Sequence, residues 1–135
     1  MKVELAALCD AATESAGKLN ILGAFDALHL PQYPFQVPHC ALVYRIRFNR
    51  VEGGEHGIRV NFVDQDGKDL VPPLEAKANV TLVDGQDSRV TNLIMNLSGL
   101  NVPAPGKFSI DLAIDGRHEM SLPLTAFHVQ PGSNK

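Results

Sequence analysis

The stretch ALVYRIRFNRVEGGEHGIRVNFV, residues 41–63, decides the fold class. Leu42, Tyr44, Ile46 and Phe48 share one parity, and Arg45 and Arg47 share the other. Ile58, Val60 and Phe62 repeat the pattern, with Arg59 and Asn61 opposite. A period of two marks a strand with one buried face. The two runs are separated by a Gly-rich segment, so the pattern predicts a hairpin. Phe48 would then face Ile58, Ile46 would face Val60 and Tyr44 would face Phe62, with every large apolar side chain toward the core. The same register sets Arg47 against Arg59, with Arg45 beside them. Like charges opposite each other destabilise a sheet unless acids intersperse or an anion binds. Arg45, Arg47 and Arg59 are therefore a candidate anion or partner patch. The plainer alternative is a solvated face neutralised by nearby carboxylates.

Working outward, short apolar runs alternate along the whole chain, and Gly, Pro or Asp falls between them. Strands are expected near 2–12, 18–29, 40–50, 57–64, 76–83, 89–98, 107–114, 118–123 and 125–129. The separators are TESAG, PQYPFQVP, VEGGEH, DQDGKDLVPP, DGQD, GLNVPAP and DGR. No segment offers an amphipathic helix of three turns. The pattern predicts an all-β, antiparallel β-sandwich of about eight or nine strands, immunoglobulin-like or jelly-roll-like. Residues 1–130 would form one domain and 131–135 a flexible tail.

Two hairpins carry further information. Phe108, Ile110, Leu112 and Ile114 alternate, as do His118, Met120, Leu122 and Leu124. A plain two-residue Asp115-Gly116 turn would send these sets to opposite faces, so a longer or bulged turn is expected. In the N-terminal pair, a turn at TESAG sets Cys9 against Ile21 and Leu5 against Phe25. On the other face it sets Leu8 against Leu22 and Ala6 against Ala24. Both faces are then apolar, and a strand pair with one wet face should not look like this. A loop, a neighbouring segment or another subunit must cover the second face. Leu8, Leu22, Ala6 and Ala24 are thus a candidate self-association face.

Bulk properties narrow the function classes. The chain has 135 residues, enough to bury a core. Lys and Arg number 12 against 15 Asp and Glu, a net charge of −3 that argues against a nucleic-acid module. With no Trp and two Tyr, stacking platforms for bases or sugars are poorly supplied. Glu4 interrupts the N-terminal apolar run, which is too short for an export signal. No stretch approaches the roughly 18 apolar residues of a membrane helix. The expected location is the cytoplasm, where Cys9 and Cys40 would remain buried thiols.

The signature LCDAA…GKLNILGAFD, followed by the Pro-rich loop and ALVYRIRF, resembles a family of short uncharacterised bacterial proteins over most of the chain. The resemblance implies a bacterial cytoplasmic β-sandwich with no assigned activity and no catalytic residue to carry over. The ending PGKFSIDLAIDGRHEMSLPL is similar to the final hairpin of many immunoglobulin-like sandwiches.

Standard catalytic patterns are absent: there is no GxSxG, HExxH, P-loop or GxGxxG. His29 and His39 flank the Pro-rich loop, but none of the five His has ligand-like spacing, and no metal is expected. The run Asp64-Gln65-Asp66-Gly67 fails as a calcium loop because Asp69 stands where Gly is required, and a β-turn accounts for it. Catalytic, cofactor and metal residues are expected to be none. The favoured function is a non-enzymatic interaction or self-associating module, as a homodimer or with another bacterial protein. The alternative is a binder of a small anion or sugar, using the sandwich edge or the loop 30–39 with Tyr33 and Phe35. An enzyme built on Asp10, Asp26 and His29 ranks last.

Overall fold

The expected alternation is realised in nine strands, seen in a computed structural model that describes residues 1–130. The strands are β1 (Lys2–Ser15), β2 (Lys18–Ala24), β3 (Ala27–Leu30), β4 (Phe35–Asn49), β5 (Gly54–Val63), β6 (Leu74–Val80), β7 (Ser88–Val102), β8 (Gly106–Ile114) and β9 (Arg117–His128). They form a four-stranded sheet of order β2-β1-β4-β7 and a five-stranded sheet of order β3-β9-β8-β5-β6. All pairs are antiparallel except β3 with β9. The chain is thus an all-β protein with two sheets, as the periodicity predicts. The flexible tail expected at 131–135 lies outside the described residues.

The central hairpin of the sequence reading does not form. β4 lies between β1 and β7 in one sheet, and β5 lies between β8 and β6 in the other. A 3-10 turn at Arg50–Glu52 carries the chain across, closed by the Asn49 N–H donating to Glu52 Oε1 at 2.8 Å. Tyr44, Ile46, Phe48, Ile58, Val60 and Phe62 are all buried in one core, but they come from opposite walls. Alternation tells which face a side chain takes and says nothing about which strand lies beside it.

The N-terminal register also differs. Ala16 and Gly17, at φ 51° and 75°, make a tight two-residue turn. This sets Cys9 against Ala24 and Ala12 against Ile21. The strand expected over 18–29 breaks at Phe25–Asp26, where the chain leaves one sheet as β2 and joins the other as β3. At the C-terminal hairpin the turn is the two-residue Asp115-Gly116, not a longer one. The expected bulge sits just beyond it, between Leu112 and Ala113. It brings Leu112 opposite Met120, Ile110 opposite Leu122 and Phe108 opposite Leu124, so both apolar sets reach the core. β9 runs unbroken through Pro123, and β4 already begins at Phe35 inside the presumed Pro-rich loop.

The core is led by Tyr44, Phe48, Phe62, Leu42, Ile46 and Ile58, all essentially without solvent exposure. Burial of each such side chain contributes about 1.5–3 kcal/mol. A second, smaller cluster of Cys9, Ala41 and Val43 forms away from this core. Ala12, Leu19, Ile21 and Ile94 pack onto it. The outer arm of the β1–β2 hairpin therefore folds back over its own sheet. Asn92 on β7 holds the arm's end, its Nδ2 donating to Glu14 Oε2 at 2.9 Å and to the Gly17 carbonyl at 3.1 Å. Gly23, at φ 70°, allows close approach of the two strands: a Cβ there would collide with the Asp10 carboxylate.

Candidate functional site

The three arginines do not make one patch. Arg45 and Arg47 lie on β4 with Glu4 between them. Arg45 Nε donates to Glu4 Oε1 at 3.2 Å, and Arg47 Nε donates to Glu4 Oε2 at 2.6 Å. Their remaining contacts run to β7: Arg45 Nη1 to Asn92 Oδ1 at 3.2 Å and Arg47 Nη1 to Ser88 Oγ at 2.8 Å. The hydrogen bond from Arg47 is the main reason the Glu4 carboxyl is held below its ordinary value. Arg59 lies on the other sheet, opposite Glu75, with its Nη1 3.6 Å from Glu75 Oε2. Arg47 is therefore not opposite Arg59. Each guanidinium has a carboxylate neighbour within the chain.

The four residues of the presumed self-association face are likewise separated. Leu8 is a core residue at 3% exposure, and Ala6 packs against the same core. Leu22 is 70% exposed and Ala24 is exposed. The shifted hairpin register causes this, because Leu22 lies opposite Ala11 instead of Leu8. Cys9 and Cys40 are both buried and free. They belong to different clusters, Cys9 to the small one and Cys40 to the main core. Burial pushes the Cys40 thiol up to about 11, so it is a poor nucleophile near neutrality.

One imidazole is joined to a carboxylate among the described residues. His56 Nδ1 lies 2.7 Å from Asp115 Oδ2, and its Nε2 lies 2.5 Å from the Glu52 carbonyl oxygen. Both partners only accept, so both ring nitrogens carry protons when both contacts are made. The ring stacks on Phe48 at 4.7 Å. No ring nitrogen is left to take a substrate proton or hold a metal. His29 stacks on Phe127. Asp10 lies at the Gly23 approach, and Asp26 lies where the chain changes sheets, its carbonyl accepting from Thr125 N–H at 2.9 Å. Among the described residues, no group of three or more His, Cys, Asp or Glu is placed to hold a metal. In the DQDG run, Asp64 Oδ1 accepts the N–H groups of Asp66 and Lys68, both at 2.9 Å, which is a self-contained turn.

What remains is the sheet edges, and they differ sharply. β6 is short and carries exposed Glu75 and Lys77. β3 has 4 residues. The open half of β9 carries Arg117, Glu119 and Pro123. Charges, Pro and brevity are how proteins discourage stray pairing at an edge. β7 has 15 residues, pairs with β4 along nearly its whole length, and meets no strand on its other side among the described residues. Its only charged side chain, Arg89, is turned aside, donating to the Thr81 carbonyl at 2.8 Å. Leu93 and Met95 are partly buried against the core at this open edge. Sequence reasoning missed this strand as a site, because nothing in the residue pattern says which strand lies outermost. The legible signal was the run from Val90 to Val102, which has neither charge nor Pro.

Residues 4–127 match the model of DUF6941, a family of unknown function, and the chain belongs to that family. No curated protein matches it. No helix of the described residues is long and apolar enough to cross a membrane.

Proposed function

We propose that this member of the DUF6941 family is a non-enzymatic protein-interaction module of the bacterial cytoplasm, built on an immunoglobulin-like sandwich. The observation that carries the reading is the unprotected β7 edge, whose free backbone groups can extend the four-stranded sheet by one strand. The internal pairing of Arg45 and Arg47 with Glu4 and the full engagement of His56 are in keeping with a role outside catalysis. The buried thiols suit a reducing compartment. A small-ligand reading has several open clefts of similar size. An apolar one of about 390 Å³ between β1 and β9 is lined by Ala6, Leu8, Phe25, Leu122 and Pro123. One of about 380 Å³ lies beside His56 and Arg117, and one of about 420 Å³ beside Arg59 and Lys77. The first suits neither an anion nor a sugar, and the charged side chains of the other two have carboxylates beside them.

The test is affinity capture from a bacterial lysate with the wild-type chain and with Asn96→Lys, which places a charge on the β7 edge. A defined protein retained by the first and lost by the second, or a second copy behaving the same way, is the expected result. Capture unaffected by Asn96→Lys, together with a monomeric wild type, would remove the edge from consideration.

A further inference from the structure

The β7 edge also constrains its partner. We propose that β7 pairs with β7 of a second copy, antiparallel about a two-fold axis at Ile94, joining two four-stranded sheets into one; this rests on the interaction reading above. The argument is one of register. A continuous sheet requires inner residues to meet inner residues, so only registers of matching parity are allowed. β7 keeps one parity as far as Ser98. At Gly99, φ 74°, the strand shifts face, since Leu97 and Leu100 are both core residues. Centring on Ile94 sets Ile94 against its own copy, Leu93 against the second copy's Met95 and Thr91 against its Leu97.

On the outer side the same register sets Asn92 against the second copy's Asn96 and Val90 against its Ser98. Arg89 falls opposite Gly99, so no two charges meet, and Leu93, Ile94 and Met95 all face apolar partners, while Leu97 meets Thr91. The neighbouring registers are worse. Centring on Leu93 puts Arg89 against Leu97, and centring on Met95 puts Ile94 against Asn96. The strand is thus self-complementary in one register, which is what an isologous two-fold contact requires. In that register Leu93 and Met95, now only partly buried, would be covered from the open side. The backbone groups of β7 that face away from β4 receive no hydrogen bond from any other described residue. Pairing would satisfy them in a regular ladder.

Sedimentation velocity on the full chain reads the result. The wild type should be a dimer at micromolar concentration. Asn96→Lys with Ser98→Lys, at two exposed positions, should weaken it by ~10-fold or more through charge at the edge, with an unchanged circular dichroism spectrum and a urea midpoint that no longer depends on protein concentration. Under mild oxidation Ile94→Cys should link two copies, whereas Asn96→Cys should not. Linking by Asn96→Cys in preference to Ile94→Cys would overturn the register. A dimer unaffected by the double lysine variant would overturn the use of this edge. A monomeric wild type would overturn self-pairing, while a protein captured through β7 in the lysate experiment would leave the interaction reading standing.

Discussion

His56 Nδ1 donates to Asp115 Oδ2 across 2.7 Å, tying β5 to the turn between β8 and β9. Asp115 completes the tie with its Oδ1, which accepts the Gly57 N–H at 2.9 Å. Met1, Glu52, Arg117 and Glu119 line the same corner.

This clamp makes stability depend on pH. The hydrogen bond to Asp115 raises the His56 value above that of a free imidazole, with the Glu52 carbonyl adding to it. The folded state then holds the proton where the unfolded chain has released it. The His56 contribution is complete below the unfolded value of about 6.5 and is lost as pH rises through the raised folded value. Asp115 is lowered by the same hydrogen bond, so its contribution is present above its ordinary value and is lost as pH falls through the lowered one. Urea midpoints measured from mildly acidic to alkaline pH should fall for the wild type above neutrality. They should fall less for His56→Asn, and equal slopes would show that the clamp carries no linkage.

Tyr44 offers a second test. Its ring is fully buried, but its hydroxyl has no hydrogen-bond partner. A buried hydroxyl without a partner opposes folding by about 1–3 kcal/mol. Tyr44→Phe should therefore be neutral or stabilising by up to about 1 kcal/mol in urea titration. Tyr44→Ala, which empties the same space, should cost about 3–5 kcal/mol. A clear loss of stability in Tyr44→Phe would mean the hydroxyl has a partner.

Gly23→Ala should destabilise by more than about 1 kcal/mol, because φ is positive and the new methyl meets the Asp10 carboxylate. Part of that loss should return when Asp10→Ala is added, since the collision goes and the backbone strain stays. Strict additivity of the two changes would show that they do not touch.

Glu4→Gln should leave Arg45 and Arg47 without the acid that stands between them. Stability should drop, and drop further at low ionic strength, because the remaining charges are alike and near the surface. The variant also bears on the anion reading. If the arginine pair can hold an anion, phosphate should raise the thermal midpoint of Glu4→Gln more than that of the wild type. An equal response in both would count against any anion site there.

The two-faced apolar character of the N-terminal hairpin was readable from the pattern, but the cover expected over Leu8, Leu22, Ala6 and Ala24 does not form. Leu8 and Ala6 enter the main core, Leu22 and Ala24 stay exposed, and it is Ala12, Leu19 and Ile21 of the hairpin's arm that pack on Val43. The Arg45–Glu4–Arg47 pairing was not readable, because its partners lie 41 and 43 residues apart and meet only when β1 and β4 pair. The C-terminal bulge was readable because one register left two apolar sets on opposite faces.

By itself the sequence determined the all-β class and the face each residue takes, since period-two alternation is a property of a single strand and needs no partner. Tyr44, Phe48, Ile58 and Phe62 were destined for the interior whichever strands lay beside them. Only the tertiary structure decided that β4 and β5 stand in opposite sheets, because a 3-10 turn and a hairpin link strands of the same pattern equally well. It also decided that β7 lies at an edge, with its outward backbone groups open. Edge position belongs to the whole sheet order, and no residue of β7 encodes it alone.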